Sequence, residues 1–300
     1  MNHPSHLQVT APASPLPWWP PSTPVGGSLE RVIEAAQAQD RCALAAFLPV
    51  CFPGRITGMD ALHLLAQSAD VVELGVPHAG EVLDGPVIQE ASRTALAAGF
   101  EMKDLFADAR ELSASSSAAL LVMSYWQPVH AYGPQKFAEQ AAAAGIAGVL
   151  IPDLPFEEAG PWRDAAHRVG VAVIPLVSPR TAPDRLAAIV AAATGMVYAP
   201  ATDGVTGNAQ PISPRLPGLV AQLRSLTSLL VAAGIGISTP AQARQAAAWA
   251  HLVVVGSAVI RRIQASPRAQ VAAAAAAARE FAAALRPCRA ARDRLTRTDT

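Results

Sequence analysis

Val71-Val72-Glu73-Leu74-Gly75-Val76-Pro77 is a β-branched, apolar run holding one carboxylate and ending in Gly and Pro. Eleven residues after Glu73, Asp84-Gly85-Pro86 opens the helix-like segment Val87–Ala98. A run that is apolar throughout, rather than alternating, reads as a strand buried on both faces in a parallel sheet. Proline at a first helical position and a polar residue just before it are helix-start signals. The stretch is therefore one strand–loop–helix unit, and the question is how often the unit recurs. Seven more runs of the same kind are Ala43–Leu48, Ala119–Met123, Gly148–Ile151, Val171–Leu176, Met196–Ala199, Leu229–Ala232 and Leu252–Val255. Ala-rich segments separate them, opened by Pro134 before Gln135–Ala144 and by Thr239-Pro240 before Ala241–Ala250. Eight consecutive units predict a closed (β/α)8 TIM barrel, with a doubly wound sheet as the runner-up. Ser28–Ala38 is expected as a helix ahead of the first strand, and Arg268–Leu285 as the closing helix after Ser266-Pro267.

The ends read differently. Residues Ala11–Pro24 carry six prolines around Trp18-Trp19, which forbids helix and central strand. The expected organisation is a Pro-rich tail over 1–27, one catalytic barrel over 28–286, and a polar tail over 287–300. The 300 residues would otherwise allow two domains, but a barrel of about 250 residues uses most of them.

Composition removes several function classes. Lys+Arg and Asp+Glu are 23 each, so the zero net charge supplies no basic surplus for nucleic acid or an anionic membrane. No apolar run reaches the roughly 18 residues a membrane helix needs. Cys42, Cys51 and Cys288 are too few and too scattered for a disulfide framework or a zinc site, which points to a reducing, cytoplasmic setting. No metal and no organic cofactor are expected.

In a barrel the chemistry lies where strands end at their carboxyl side. Glu73 falls inside an apolar run near its strand's end, where a carboxylate is either salt-bridged at the mouth or an acid/base with a raised pKa. Asp84 either caps the following helix or brings a second carboxylate to the same pocket. Tyr198 either packs with a satisfied hydroxyl or orients a carboxylate. Glycine clusters follow the last three strands: Gly204-Val205-Thr206-Gly207, Gly234-Ile235-Gly236-Ile237-Ser238 and Gly256-Ser257-Ala258. Together they offer unobstructed N–H groups for a phosphate, the last at the amino end of a short helical stretch. Cys51 reads as a buried small apolar residue. His63, His130, His167 and His251 read as surface or core positions, while His78 is either a loop residue or a proton carrier near the site. Arg180 and Arg261-Arg262 are either solvated or on the phosphate side.

Taken together, these residues resemble the tryptophan synthase alpha subunit family from Leu29 to Arg262. The most specific matches are Glu73–Pro77 and Asp84–Gln89 with Ala91-Ser92. Tyr125–Gly133, Pro152-Asp153-Leu154-Pro155 and the three glycine clusters add to them. The resemblance implies a lyase that cleaves indole-3-glycerol phosphate to indole and glyceraldehyde 3-phosphate by retro-aldol chemistry. It implies Glu73 as the proton donor and acceptor, Asp84 as the partner of the indole N–H, and Tyr198 as a hydrogen-bond partner of Asp84. Gly207, Gly234, Gly236, Gly256 and Ser257 are implied as the phosphate cradle. An indole slot is expected from Phe47, Leu120, Leu121, Ile88 and Tyr125, and a beta subunit is the partner such a chain would have.

The departures from the family pattern are grouped. Between Pro77 and Asp84 the usual Phe-Ser-Asp-Pro-x-Ala reads His78-Ala79-Gly80-Glu81-Val82-Leu83, in a loop that in the family contacts the beta subunit. The usual Ser-Arg ahead of Gly-Val-Thr-Gly reads Ala201-Thr202, with Asp203 next, and the first strand exits through Pro49-Val50-Cys51-Phe52-Pro53. The catalytic pair is kept and the coupling loops are rewritten, so the expectation is a lyase that works without a beta subunit, or with an unusual partner, rather than a standard allosteric alpha subunit. The alternatives are a non-catalytic or partner-dependent alpha-like subunit that regulates a beta subunit, and a sugar-phosphate isomerase or epimerase. The last would leave the set Glu73, Asp84 and Tyr198 unexplained.

Overall fold

A computed structural model describes residues 27–80, 83–203 and 210–286. The expectations for the tails over 1–27 and 287–300 therefore fall almost wholly outside the described residues, as do Gly204–Gly207. Helix α1 (Gly27–Ala38) precedes eight strand-led units. These are β1 (Ala43–Pro49) with α2 (Arg55–Ala66), and β2 (Val71–Gly75) with α3 (Pro86–Ala97) and α4 (Met102–Ser115). Then come β3 (Ala119–Met123) with α5 (Trp126–Tyr132) and α6 (Pro134–Ala143), and β4 (Ile146–Leu150) with α7 (Gly160–Arg168). They continue with β5 (Ala172–Ile174) and α8 (Pro183–Ala191), and β6 (Met196–Pro200) and α9 (Leu216–Leu226). The last are β7 (Leu230–Gly234) with α10 (Pro240–Ala246), and β8 (Leu252–Val255) with α11 (Ser257–Gln264) and α12 (Gln270–Ala284).

All strand pairs are parallel, in the order β5-β4-β3-β2-β1-β8-β7-β6. The cylinder closes between β5 and β6 through a single bridge, Leu176 to Tyr198, with Tyr198 N–H donating to Pro175 C=O at 3.0 Å and Val177 N–H to Tyr198 C=O at 2.9 Å. The run Val171–Leu176 was expected to be one strand; its ladder stops at Ile174 because Pro175 has no N–H to donate. The predicted doubly wound alternative is excluded by this closure.

Register decides what faces inward. Phe47, Glu73 and Leu121 lie side by side on β1, β2 and β3, so they share one layer of the interior. Beneath them Ala45, Val71 and Ala119 form the next layer. The floor is α1, whose Leu29, Ile33 and Ala36 are fully buried against the interior side chains Ala43, Met196 and Leu252. Its apolar positions at i, i+4 and i+7 form one face, the pattern of a helix that buries one stripe against the barrel floor. Beside this plug the Arg41 guanidinium donates two hydrogen bonds to Asp70, at 2.6 and 2.7 Å, and Asp70 also accepts the Leu44 N–H at 2.9 Å. Between the strands and the outer helices, Leu62, Leu65, Phe106, Phe137 and Trp162 are buried in the main core. Among the described residues no helix is long and apolar enough to cross a membrane.

Candidate active site

The mouth of the barrel, at the carboxyl ends of the strands, holds a cavity of about 640 Å³ including its open entrance. Its walls are mostly apolar: Phe47, Ile88, Met123, Leu150, Leu176 and Val254, with Glu73 and Asp84 as the carboxylates among them. Phe47 crosses the mouth above two glycines. A Cβ at Gly75 would come within 2.6 Å of the Phe47 ring and one at Gly256 within 2.9 Å, so both positions leave room for the aromatic wall.

Glu73 sits on β2, one residue short of the strand's penultimate position, and is 4% exposed. It has no hydrogen-bond partner and no cation among the described residues. Burial in this apolar layer, and secondarily the charge of Asp84, push its carboxyl up to about 8. Asp84 enters from the loop ahead of α3 and is half-buried. Burial pushes it up to about 6, against the opposing effect of a hydrogen bond from the Tyr125 hydroxyl. Tyr125 also accepts the Leu83 N–H at 3.2 Å, and Gln89 Nε2 donates to the Asp84 carbonyl at 2.7 Å. Asp84 is therefore held by its side chain and its backbone, as the helix-cap reading alone would not require; the cap position of α3 is Gly85.

The expected bond from Tyr198 to Asp84 is replaced by another pairing. The Asp84 partner is Tyr125, at the start of α5. The Tyr198 hydroxyl lies against Gly234 of β7, and Tyr198 lines the cavity with Glu73. The reason is depth: Tyr198 belongs to the interior of β6, with its ring over Gly234, which leaves no space for a Cβ there. Tyr125 sits at the level where the loop carrying Leu83 and Asp84 folds over the mouth.

The remaining expectations divide in the same way. Phe47 and Ile88 line the cavity; Leu121 and Leu120 are buried in the barrel wall, and Tyr125 stands behind Asp84. Gly236, Gly256 and Ser257 line the cavity, Gly234 lies behind Tyr198, and Gly207 is outside the described residues. Ser257 begins α11, so the helix's amino end opens on the cavity. Ile235 is a β-branched residue at φ +62° and Gly236 follows at φ +94°. That left-handed turn costs Ile235 about 1–3 kcal/mol. The N–H groups of Gly236 and Ile237 find no acceptor among the described residues. Cys51, at φ +65°, is buried and does not reach the cavity. His78 packs its ring 5.3 Å from that of Tyr125, just outside the site. Asp153 accepts the Trp126 N–H at 2.8 Å, tying the exit of β4 to the exit of β3.

Met123, Leu150, Leu176, Val254, Ile235 and Ile237 were missed as cavity residues. Met123 was within reach of a parity argument, since it lies two residues beyond Leu121 on the same face. Leu150 was hidden by the register shift of β4 against β3 at Leu120/Leu121.

Fold and site define a (β/α)8-barrel of the acid/base type, with two carboxylates of unequal proton affinity facing an apolar slot and an amide-lined recess beside it. Comparison with known proteins narrows the class. The family model for the tryptophan synthase alpha chain matches residues 33–286. The tryptophan synthase alpha chain of Streptomyces coelicolor is 40% identical over 240 residues, covering 80% of this chain and 89% of that protein. That of Thermobifida fusca is 40% identical over 261 residues, covering 86% and 96%. The structure of Mycobacterium tuberculosis tryptophan synthase superposes with a TM-score of 0.80 at 36% identity, over 86% of this chain and 98% of that one. The chain belongs to the tryptophan synthase alpha chain family.

Proposed function

We propose that the chain cleaves indole-3-glycerol phosphate with Glu73 and Asp84 as its acid/base pair, and that it does so without a beta subunit. Family membership makes it a carbon–carbon lyase of the tryptophan synthase alpha type; the residue roles and the independence are our reading. The observation that carries the roles is the unequal environment of the two carboxylates. At neutral pH Glu73, pushed up to about 8, is protonated, while Asp84, at about 6, is ionised.

Indole is a poor leaving group until the ring carbon bearing the glycerol chain is protonated. Glu73 delivers that proton, and the ring becomes an iminium ion. The Asp84 carboxylate accepts the indole N–H and faces the growing positive charge, in a slot whose apolar walls keep that attraction strong. The Glu73 carboxylate, now ionised, takes the proton from the adjacent hydroxyl. The carbon–carbon bond breaks, its electron pair returns to the indole ring, and the hydroxyl carbon becomes the aldehyde of glyceraldehyde 3-phosphate. Glu73 ends the cycle protonated. Tyr125 holds Asp84 in its ionised form. Gly236, Gly256, Ser257 and the amino end of α11 hold the phosphate, with Gly207 implied by the motif. The unpaired cysteines Cys42 and Cys51 fit a cytoplasmic enzyme.

Independence from a partner is supported by the rewritten loop His78–Leu83 and by Ala201-Thr202 at the root of the next one. The test is indole release from indole-3-glycerol phosphate by the purified chain, with and without an added beta subunit. Expected is release by the chain alone, unchanged by the addition. Release that appears only with the beta subunit overturns the independence, and none under either condition favours the non-catalytic alternative.

A further inference from the structure

The strained turn after β7 is held by a side chain from the exit of β6 that lies outside the cavity. The Ile235 C=O accepts the Thr202 hydroxyl at 3.1 Å. Thr202 is 3% exposed, sits at the exit of β6, and does not line the cavity. Its side chain lies so close to Gly236 that no Cβ fits there. The Ile235 carbonyl is thus tied to Thr202, and the residue sits in the left-handed region that β-branched side chains avoid. Released from Thr202, Ile235 would relax toward extended backbone and rotate the next peptide with it. The next residue, Gly236, lines the cavity together with Gly256 and Ser257, and its N–H has no acceptor among the described residues, so the turn sets how that peptide is presented.

We infer that Thr202 is a positioning residue for the phosphate end of the substrate, acting through the left-handed Ile235–Gly236 turn. It rests on the lyase reading for the identity of the phosphate ester, though not for the presence of an anion recess. Asp203, next in the chain, keeps the segment in place from the other side. It accepts the Ser213 hydroxyl at 3.0 Å, and Ser213 N–H donates to Ala201 C=O at 2.8 Å. The root of the loop after β6 is thereby fixed while Thr202 reaches across to β7.

The test uses the full chain and two variants, Thr202→Val and Thr202→Ser. Glycerol 3-phosphate is the binding probe, titrated by calorimetry, so that affinity is read without turnover. Thr202→Val keeps shape and loses the hydroxyl. Expected is glycerol 3-phosphate binding weakened about tenfold, the size of one buried hydrogen bond, with affinity restored in Thr202→Ser. In turnover, the KM for indole-3-glycerol phosphate rises by a similar factor and kcat stays within about twofold, because the phosphate is held equally in ground and transition states. Cleavage of the phosphate-free indole-3-glycerol is unchanged by the variant. In an Ile235→Gly background, where glycine adopts the left-handed turn without cost, the Thr202→Val effect on binding shrinks. A lower melting temperature in Thr202→Val with glycerol 3-phosphate affinity intact would reduce Thr202 to a packing residue and overturn the inference. Should wild type release no indole yet bind glycerol 3-phosphate with the expected variant pattern, the lyase reading fails and the positioning role stands.

Discussion

The two ends of the barrel treat a carboxylate in opposite ways. At the floor, beside the α1 plug, Asp70 receives two hydrogen bonds from Arg41 and one from the Leu44 N–H. On the outer wall Asp104 is treated likewise: the Arg55 guanidinium beside it holds its carboxyl below the ordinary range. At the mouth, Glu73 is as deeply buried as either and has no cation near it among the described residues. The fold therefore neutralises charge where it needs cohesion, and leaves charge uncompensated where it needs a proton to move. Buried carboxylates without a cation are costly, and at the mouth two of them, Glu73 and Asp84, line one cavity.

The comparison can be broken in graded steps. The largest effect is expected from Glu73→Gln, which removes the proton donor while keeping the shape. Indole formation should fall by about a thousandfold or more in kcat, with substrate affinity little altered. A fall of less than tenfold would mean the proton comes from elsewhere. Asp84→Asn should cost slightly less, about a hundredfold or more, because an amide can still accept the indole N–H but cannot face the cation with a full charge.

Next is the floor. Asp70→Ala strands the Arg41 guanidinium and the Leu44 N–H, and is expected to lower stability by about 2–3 kcal/mol, discounted for the partial exposure of the pair. Urea unfolding measures this, and turnover per folded molecule should stay at wild type. The same variant acting on kcat would dissolve the division between the two ends.

A smaller effect has the opposite sign. Glu73 has a folded-state pKa of about 8, above its ordinary value near 4.5, so the folded chain binds that proton more tightly than the unfolded one. Its contribution to stability is full below pH 4.5 and is lost as pH rises toward 8. Glu73→Gln should therefore melt at a higher temperature than wild type at pH 9, and the advantage should vanish by pH 5. The smallest effect is expected from Tyr125→Phe. Loss of its hydrogen bond raises the Asp84 pKa, so the acidic limb of kcat/KM moves upward from about 6 while the limb set by Glu73 stays.

Much of this was legible in the residues themselves. The eight runs announced the barrel because strands covered on both faces must be apolar throughout, and prolines marked helix starts at Pro86, Pro134 and Pro240. Glu73 stood out as the one carboxylate in such a run, and Gly256-Ser257 as a strand exit opening a helix. What could not be read depends on depth and register. Leu121 and Met123 are both apolar and two residues apart; only the height of the mouth decides that Met123 lines the cavity and Leu121 does not. Two tyrosines were available for Asp84, and only the convergence of the loop at Leu83 with the start of α5 selects Tyr125. The left-handed turn at Ile235 was invisible, because isoleucine is the residue type that would not be placed there.

The proton affinity of Glu73 decides whether the mouth can act as an acid/base site, and it is open to direct observation. A carbon-13 NMR titration of the side-chain carboxyls in the folded chain, with the Glu73 signal assigned by its loss in Glu73→Gln, measures it without substrate. Expected is a Glu73 midpoint near 8, with Asp84 near 6. A Glu73 midpoint at the ordinary value near 4.5 would mean that the mouth compensates its charge as the floor does, and the acid/base assignment would fall with it.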